Sequence, residues 1–469
     1  MKESLYRAGV FSVLFALATS LVVAQSSLPT TVTVNISGDG YVTPNLFGQT
    51  LKKGKKYSLK ATGEGEETFS NWSGDITSAL NPLSFVFESN MVLQANFVTN
   101  PFLWWQGQYN GLFNVAGGVT EQTSGMLKGV TISQSGTYSG KLLINGGSHS
   151  ISGRFNLAGQ ATNRIARTAI QGGPITVQMT LQTPDESILY DIGQPLREEL
   201  TGTVSGTVGG FSWSANLKAY QTSFIFGQYS SKPGTFTMII PPDDGNNPPD
   251  LSPGGYGYAS ISSGHSIIGT LADGTSFSGS FPVSPDGFAP IYASIYGNKG
   301  LLFGWVDVAD TNANVGLLWT QPVWDDAGLT WIHPKSLTGL YRHGFTNFYS
   351  GSQLMLSPNS AYFYSPPPAN FGQMTNLLIF GENSQATVSI PVSTSVPFEV
   401  VGASVSGNAN PQGLLKLTIG KGAAKVTAHG VLNYGTVVTN VFQLYGYPAV
   451  GYFGYFLTKT NSQAFILGP

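Results

Sequence analysis

Short segments in which apolar and polar residues alternate run through most of the chain. Thr31–Ile36 and Lys56–Ala61 alternate with a period of two, which is typical of half-buried strands. The clearest case is Phe211–Leu217, in which every second residue is apolar and falls on one side. From Trp104 onward, turn signals recur about every 8–12 residues, as expected of sandwiches and barrels. We find no convincing helical period. The pattern predicts an all-β protein, with a small β-module followed by a large antiparallel sandwich or barrel-like region that contains related segments.

Composition narrows the classes of function. Charged residues make up 10% of the 469 residues and the net charge is −2, so neither a strongly basic nor a strongly acidic partner surface is expected. One basic cluster, Lys52 to Lys56 with Lys60 close by, is interpreted as a solvated turn between strands, because nucleic-acid binding needs a wider basic face. The chain has no cysteine, which excludes disulfides, thiol nucleophiles and cysteine-ligated zinc.

The first 24 residues have the pattern of a signal peptide. Lys2 and Arg7 precede an apolar run from Ala8 to Val23, and Val22 and Ala24 place small residues at −3 and −1 of a cleavage site before Gln25. A retained membrane anchor is the alternative. We expect export to the cell surface or the extracellular space, with no membrane span after the signal is removed.

Proline-rich stretches and related hairpins suggest the organisation of the rest. Pro241–Pro249 and Pro366–Pro368 are the expected boundaries. Ser139–Phe155 and Ile268–Phe281 each predict a hairpin with glycines at corresponding points, and Gln412–Val431 follows a similar logic. The predicted division is a signal peptide at 1–24, a β-module at 27–99, and β-rich units at 105–230, 231–335 and 336–469.

The segment 31–97 carries a specific order of glycines and aromatics. Its steps are Gly38-x-Gly40-Tyr41-Val42-x-Pro44, Gly54 with Tyr57-x-Leu59-x-Ala61, Phe69-x-x-Trp72-Ser73-Gly74-Asp75, and Asn90-x-x-Leu93-x-Ala95-x-Phe97. This order resembles the divergent internalin-type B-repeat of bacterial surface proteins. The resemblance implies a small extracellular β-module that serves as a spacer or adhesive unit, with no catalytic residues. We expect Trp72 to anchor its core.

A second resemblance covers about half of the remaining chain. It rests on Gly257-Tyr258, Gly269–Gly274, Ser284–Gly287, Pro290–Tyr292, Tyr296–Trp305 and Gly454–Ser462. These segments are similar to a group of uncharacterised secreted bacterial proteins. The resemblance implies a secreted β-domain and carries no activity.

Residue types that support catalysis or metal binding are scattered. None of the five histidines forms a His-x-His or His-x₃-His pair. The oxygen-rich stretches Asp310–Gly316 and Asp243–Asp250 depart from a calcium-loop pattern and are interpreted as polar turns. Adjacent acids such as Asp325-Asp326 and Glu198-Glu199 would point to opposite faces of a strand. No metal or cofactor is predicted, and the catalytic residues, if there are any, stay unknown.

Aromatic residues near glycines and prolines are the candidate ligand-binding positions. They are Trp104, Trp105, Trp324, Tyr362 and Tyr364. Aromatic faces combine apolar area with few rotamers to lose, and therefore suit weakly charged, flat partners. The candidate partner is a glycan or another cell-surface polymer, and nucleic acid is not expected. The alternative for Trp104 and Trp105 is that they cover the junction between modules.

Three hypotheses of function stay open at this point. The first is a non-catalytic secreted or cell-surface β protein that is adhesive, glycan-binding or scaffolding. The second is a secreted hydrolase or lyase that acts on polysaccharide. The third is an outer-membrane β-barrel, which low charge, many aromatics and alternating strands also suit.

Overall fold

The computed structural model divides the chain into two compact units, Met1–Asn100 and Pro101–Pro469. The residues that the structure describes are 31–168, 172–182, 199–222, 236–242, 253–262, 266–284, 287–307, 318–319, 328–335, 341–350, 354–358, and the strands between 375 and 467 that are given below.

The first unit consists of two three-stranded sheets, ordered β1-β6-β4 and β2-β3-β5. The strands are β1 (Val32–Ser37), β2 (Gly40–Thr43), β3 (Lys56–Gly63), β4 (Glu67–Gly74), β5 (Leu83–Val86) and β6 (Met91–Thr99). β1 pairs with β6 in parallel, whereas β2 with β3, β3 with β5, and β4 with β6 pair antiparallel. The predicted strands at Thr31–Ile36 and Lys56–Ala61 are confirmed.

Alternating side chains of both sheets form the core of this unit. Leu59, Trp72 and Leu93 are fully buried. The Trp72 ring lies 5.5 Å from the ring of Phe69, centroid to centroid. The prediction that Trp72 anchors the core is confirmed.

The second unit begins with one turn of helix and an eight-stranded antiparallel sheet. The elements are α1 (Phe102–Trp105), β7 (Gly107–Asn114), β8 (Gly125–Ile132), β9 (Thr137–Ile144), β10 (Gly147–Arg154), β11 (Gln160–Ile165), β12 (Ile175–Leu181), β13 (Glu199–Val208) and β14 (Phe211–Gln221). The order is β10-β9-β8-β7-β14-β13-β12-β11, so the first and last strands pair at the centre. The sequence did not predict α1, because four residues are too few to show a helical period.

The strand predicted at Phe211–Leu217 is present as the first part of β14. Ala215 and Leu217 are buried in the core of the eight-stranded sheet, as the alternation predicts. Phe211, in the same phase, is 81% exposed because it pairs with Val208 beside the Gly209-Gly210 turn, at the end of the strand.

The middle of the second unit contains a six-stranded and a four-stranded sheet, ordered β18-β17-β16-β15-β24-β21 and β19-β20-β22-β23. The strands are β15 (Phe236–Ile240), β16 (Gly257–Ile261), β17 (Ser266–Thr270), β18 (Ser276–Ser280), β19 (Phe288–Ile295), β20 (Gly300–Asp307), β21 (Leu318–Trp319), β22 (Gly328–His333), β23 (Phe345–Ser350) and β24 (Met355–Pro358). One apolar core takes side chains from both sheets, for example Met238 and Ile267 from the first and Ile291 and Trp331 from the second.

The C-terminal strands form a closed eight-stranded ring in sequential order. They are β25 (Thr375–Phe380), β26 (Ser384–Ser389), β27 (Glu399–Ser406), β28 (Leu415–Ile419), β29 (Thr427–Tyr434), β30 (Val437–Tyr447), β31 (Gly451–Leu457) and β32 (Ser462–Leu467). β25 closes the ring by pairing antiparallel with β32.

The all-β fold with a small module and larger antiparallel sheets is confirmed. So are two predicted hairpins, because Ser139–Phe155 spans β9 and β10 and Ile268–Phe281 spans most of β17 and β18. In Gln412–Val431, β28 pairs antiparallel with β29, and the remaining residues of that segment lie outside the described ranges. The boundaries of the three β-rich units after residue 104 stay a prediction.

Candidate functional site

The helix α1 places the two adjacent tryptophans in opposite environments. Trp104 is 67% exposed, whereas Trp105 is 6% exposed. The indole Nε1 of Trp105 donates to the Gln182 carbonyl at 3.2 Å, and its ring packs edge-on against Phe102 at 5.8 Å. Trp105 is therefore a core residue of the eight-stranded sheet, and Trp104 presents its ring to solvent.

The other three candidate aromatics, Trp324, Tyr362 and Tyr364, lie outside the described residues. The oxygen-rich stretches 243–250 and 310–316 do so as well. Of the five predicted ligand-binding residues, the structure describes Trp104 and Trp105, and the grouping of the five stays a prediction.

A groove with a volume of about 360 Å³ lies across the ends of β11 to β14. Its lining combines one indole, one guanidinium, four hydroxyls and three apolar or small residues: Arg164, Pro174, Ile175, Thr176, Ser205, Gly206, Thr207, Ser212 and Trp213. Cross-strand register explains part of the set, because Arg164 pairs with Thr176 and Thr176 pairs with Ser205. Side chains that are directly opposite on neighbouring strands point to the same face.

Trp213 owes its position in the groove to a glycine. Gly206 is its direct partner on β13, and a Cβ at Gly206 would lie 3.1 Å from Cζ2 of the indole. The missing side chain lets the ring lie close to the β13 backbone. Nε1 of Trp213 is buried and has no hydrogen-bond partner within the described part of the chain. A buried indole N–H usually finds an acceptor, and the Nε1 atoms of Trp213 and Trp72 are exceptions among the described residues.

The lining of the groove offers no side chain for acid–base chemistry at neutral pH. None of its nine residues is a carboxylate, a histidine or a cysteine. Sequence reasoning assigned Trp213 to the inner face of a strand and missed the groove, because only the register of β13 against β14 reveals Gly206 opposite the ring.

A second cluster of polar side chains is buried between the two middle sheets. Asp273, in the turn after β17, accepts hydrogen bonds from the Thr275 backbone N–H at 2.9 Å, from the Thr275 hydroxyl at 3.0 Å and from the Tyr296 hydroxyl. Trp331 Nε1 donates to the Tyr296 oxygen at 3.0 Å. His333 Nε2 lies 3.9 Å from the Asp273 carboxylate, and the two side chains are 2% and 4% exposed.

Burial sets the protonation of this cluster. Desolvation lowers the pKa of His333, against the opposing effect of Asp273 and the Pro334 carbonyl. The Nδ1 of His333 lies 3.0 Å from that carbonyl oxygen. Burial and the neighbouring Asp273 carboxylate raise the pKa of Tyr296. The histidine is therefore neutral and the tyrosine protonated at neutral pH. The cluster joins the two sheets, and its carboxylate is enclosed rather than presented to a cleft.

Two general features can be stated for the part of the chain that the structure describes. In those residues, no three His, Asp or Glu side chains come together in a way that could hold a metal ion. Among the same described residues, no helix is long and apolar enough to cross a membrane.

Comparison with known proteins identifies the first unit. No curated protein and no solved structure matches the chain. One family model matches, that of the divergent InlB B-repeat domain, over residues 30–101. This range contains all six strands of the first unit. A B-repeat module indicates a β protein of the bacterial surface type. Residues 30–101 are thus a divergent InlB B-repeat domain, as the glycine and aromatic pattern of the sequence implies.

Proposed function

We propose that this protein is a non-catalytic, extracellular or surface-attached β protein that binds a neutral glycan, as an adhesive or scaffolding component. Residues 1–24 would direct its export, and N-terminal sequencing of the exported protein should then find Gln25 first. The family match supports the surface location, because B-repeat modules are typical of bacterial surface proteins.

The groove at Trp213 is the observation that carries the binding proposal. Sugars offer hydroxyl groups that both donate and accept hydrogen bonds, together with an apolar ring face. The lining contains both kinds of group, the hydroxyls of Ser205, Thr207 and Ser212 and the ring of Trp213. Alternation along β13 and β14 places these hydroxyls on the opposite face of the sheet from the ring, so a sugar would contact both where the groove crosses the ends of the two strands. Arg164 adds the N–H donors of its guanidinium group.

The absence of a carboxylate from the groove lining favours binding over hydrolysis. A glycosidase needs two carboxyl groups that flank the scissile bond. Asp273, which lies 3.9 Å from His333 Nε2, already accepts three hydrogen bonds and is almost fully enclosed.

The five aromatic residues selected from the sequence have different roles in this proposal. Trp104 offers an exposed ring and is proposed as an accessory contact. Trp105 supports that contact from within the core. Trp324, Tyr362 and Tyr364 remain proposed contacts.

A neutral-glycan array with the full chain, followed by titration of the best glycan, tests the proposal. Trp213→Ala should weaken binding at least about tenfold, which corresponds to roughly 1.4 kcal/mol. Trp213→Phe keeps an aromatic ring and loses the N–H, so its affinity should lie between that of the parent and that of Trp213→Ala. Phe211→Ala is the matched control, since Phe211 lies on the same strand and outside the groove lining.

The outcomes separate the parts of the proposal. Unchanged affinity in a folded Trp213→Ala variant would show that the groove is not the glycan-binding site. An array on which no neutral glycan binds would leave a scaffold as the function.

A further inference from the structure

The outward face of the sheet β2-β3-β5 in the first unit combines lysines, hydroxyls and an aromatic ring. The eight outward side chains of these strands are Tyr41, Thr43, Lys56, Ser58, Lys60, Thr62, Ser84 and Val86. All eight are described, and none is a carboxylate. Tyr41 is 44% exposed and Val86 is 50% exposed. We name this set the lysine face.

Strand geometry sets the spacing of the charges on this face. Lys56 and Lys60 are four residues apart on β3, with Ser58 between them on the same side. At about 3.3 Å per residue, their Cα atoms are roughly 13 Å apart. Cross-strand pairing places Val86 beside Lys56, Ser84 beside Ser58 and Thr43 beside Lys60. The face therefore has Lys56 at one end, the pair of Tyr41 and Thr62 at the other, and Lys60 between them, with hydroxyls beside each.

Three more lysines continue the array at one end of β3. Lys52, Lys53 and Lys55 are exposed in the turn before the strand. Lys55 N–H donates to the Lys52 carbonyl at 3.2 Å, and the turn exchanges two backbone hydrogen bonds with Phe87, at 2.8 and 2.9 Å. This pinning reduces the backbone freedom that binding would otherwise have to remove.

The acidic side chains of this unit lie mostly at the other end of β3. Glu64, Glu66 and Glu67 follow the strand, and Glu67 accepts a hydrogen bond from the Asp39 backbone at 2.6 Å. At the lysine end, Glu88 pairs with Lys53 at 3.6 Å. The B-repeat domain therefore has a basic and an acidic end, although its overall charge is close to balanced.

We propose that the lysine face binds a strand of acidic glycan. Lysine ammonium groups act as point charges that tolerate many anion positions, which suits a repeating polymer. Serine and threonine hydroxyls suit the sugar hydroxyls. The exposed Tyr41 ring pairs with Thr62 at the acidic end of β3 and suits the uncharged face of a sugar ring. This binding is independent of the groove at Trp213, which lies in the second unit and carries the neutral-glycan proposal.

Binding of the full chain to immobilised polygalacturonate tests the inference. The affinity should fall roughly twentyfold between 50 and 200 mM salt, since about three cations would release counterions. The double variant Lys56→Gln, Lys60→Gln should lose about tenfold at low salt. Tyr41→Ala should lose about threefold with an unchanged salt dependence, because it removes stacking and no charge. The matched control is Lys128→Gln, Lys141→Gln, a cross-strand lysine pair of the second unit, which should bind as the parent does.

Four results would overturn the inference. The first is no binding of polygalacturonate at 50 mM salt, and the second is an equal loss in the two lysine double variants. The third is binding of inorganic polyphosphate or of phosphatidylglycerol vesicles that matches polygalacturonate and ignores Tyr41→Ala, which would show that charge alone is recognised. The fourth is salt-sensitive self-association in light scattering, lost in the Lys56, Lys60 variant, without polygalacturonate binding. A second copy would then be the occupant, with its acidic end on the lysine face.

Discussion

At the scale of single residues, the hydroxyl of Tyr296 connects two other members of the buried polar cluster between the middle sheets. It donates to Asp273 and accepts from Trp331. Tyr296→Phe would leave the indole N–H without an acceptor and the carboxylate with one donor fewer, so we expect a loss of about 2–4 kcal/mol of unfolding free energy. The shift of the urea midpoint measures it. Tyr138→Phe is the control, because its hydroxyl has a long contact of 3.4 Å with Asn163, and it should cost less than about 1 kcal/mol.

His333 makes the stability of the same sheets depend on pH. Desolvation holds its folded-state pKa below the ordinary 6.5. Between the two values the unfolded chain binds a proton that the folded chain does not, so stability falls as the pH drops below about 6.5. We expect the urea midpoint to decline from about pH 7 to about pH 5.5, and His333→Gln to flatten that decline. His343→Gln, at an exposed histidine, is the matched control. Equal slopes in all three proteins would contradict this account.

At the scale of elements, the helix α1 shows how one turn of backbone separates two roles. The helix has no side-chain cap, and isolated helices this short are unstable, so the burial of Phe102 and Trp105 must hold it. Trp105→Ala should cost about 3–5 kcal/mol, whereas Trp104→Ala should stay within about 0.5 kcal/mol. Tryptophan fluorescence during urea unfolding measures both. A similar loss in the two variants would show that the exposed ring is also part of the packing.

The same scale explains how far the sequence predicts the structure. Alternation alone locates β1, β3 and β14, because a strand that buries one face must place an apolar residue at every second position. The groove could not be predicted, since it needs the register that pairs Gly206 with Trp213. The Asp273–Tyr296–His333 cluster could not either, because its members lie on separate hairpins that only the packing of two sheets brings together. Local pattern determines strands, and long-range register determines sites.

At the scale of the whole molecule, the B-repeat domain should fold without the rest of the chain. Every residue of its apolar core lies between Val32 and Phe97, and each of its six strands pairs only with strands of the same unit. A fragment of residues 27–99 should therefore unfold in one cooperative transition, although a domain of this size has little stability in reserve.

Trp72→Ala should abolish that transition, because losing a fully buried indole costs about 3–5 kcal/mol. Leu80→Ala, at a side chain that is 73% exposed, should leave it nearly unchanged. Circular dichroism during heating distinguishes these cases. A gradual signal change in the parent fragment would mean that the domain needs residues beyond 99, and equal melting of the two variants would mean that Trp72 is not its anchor.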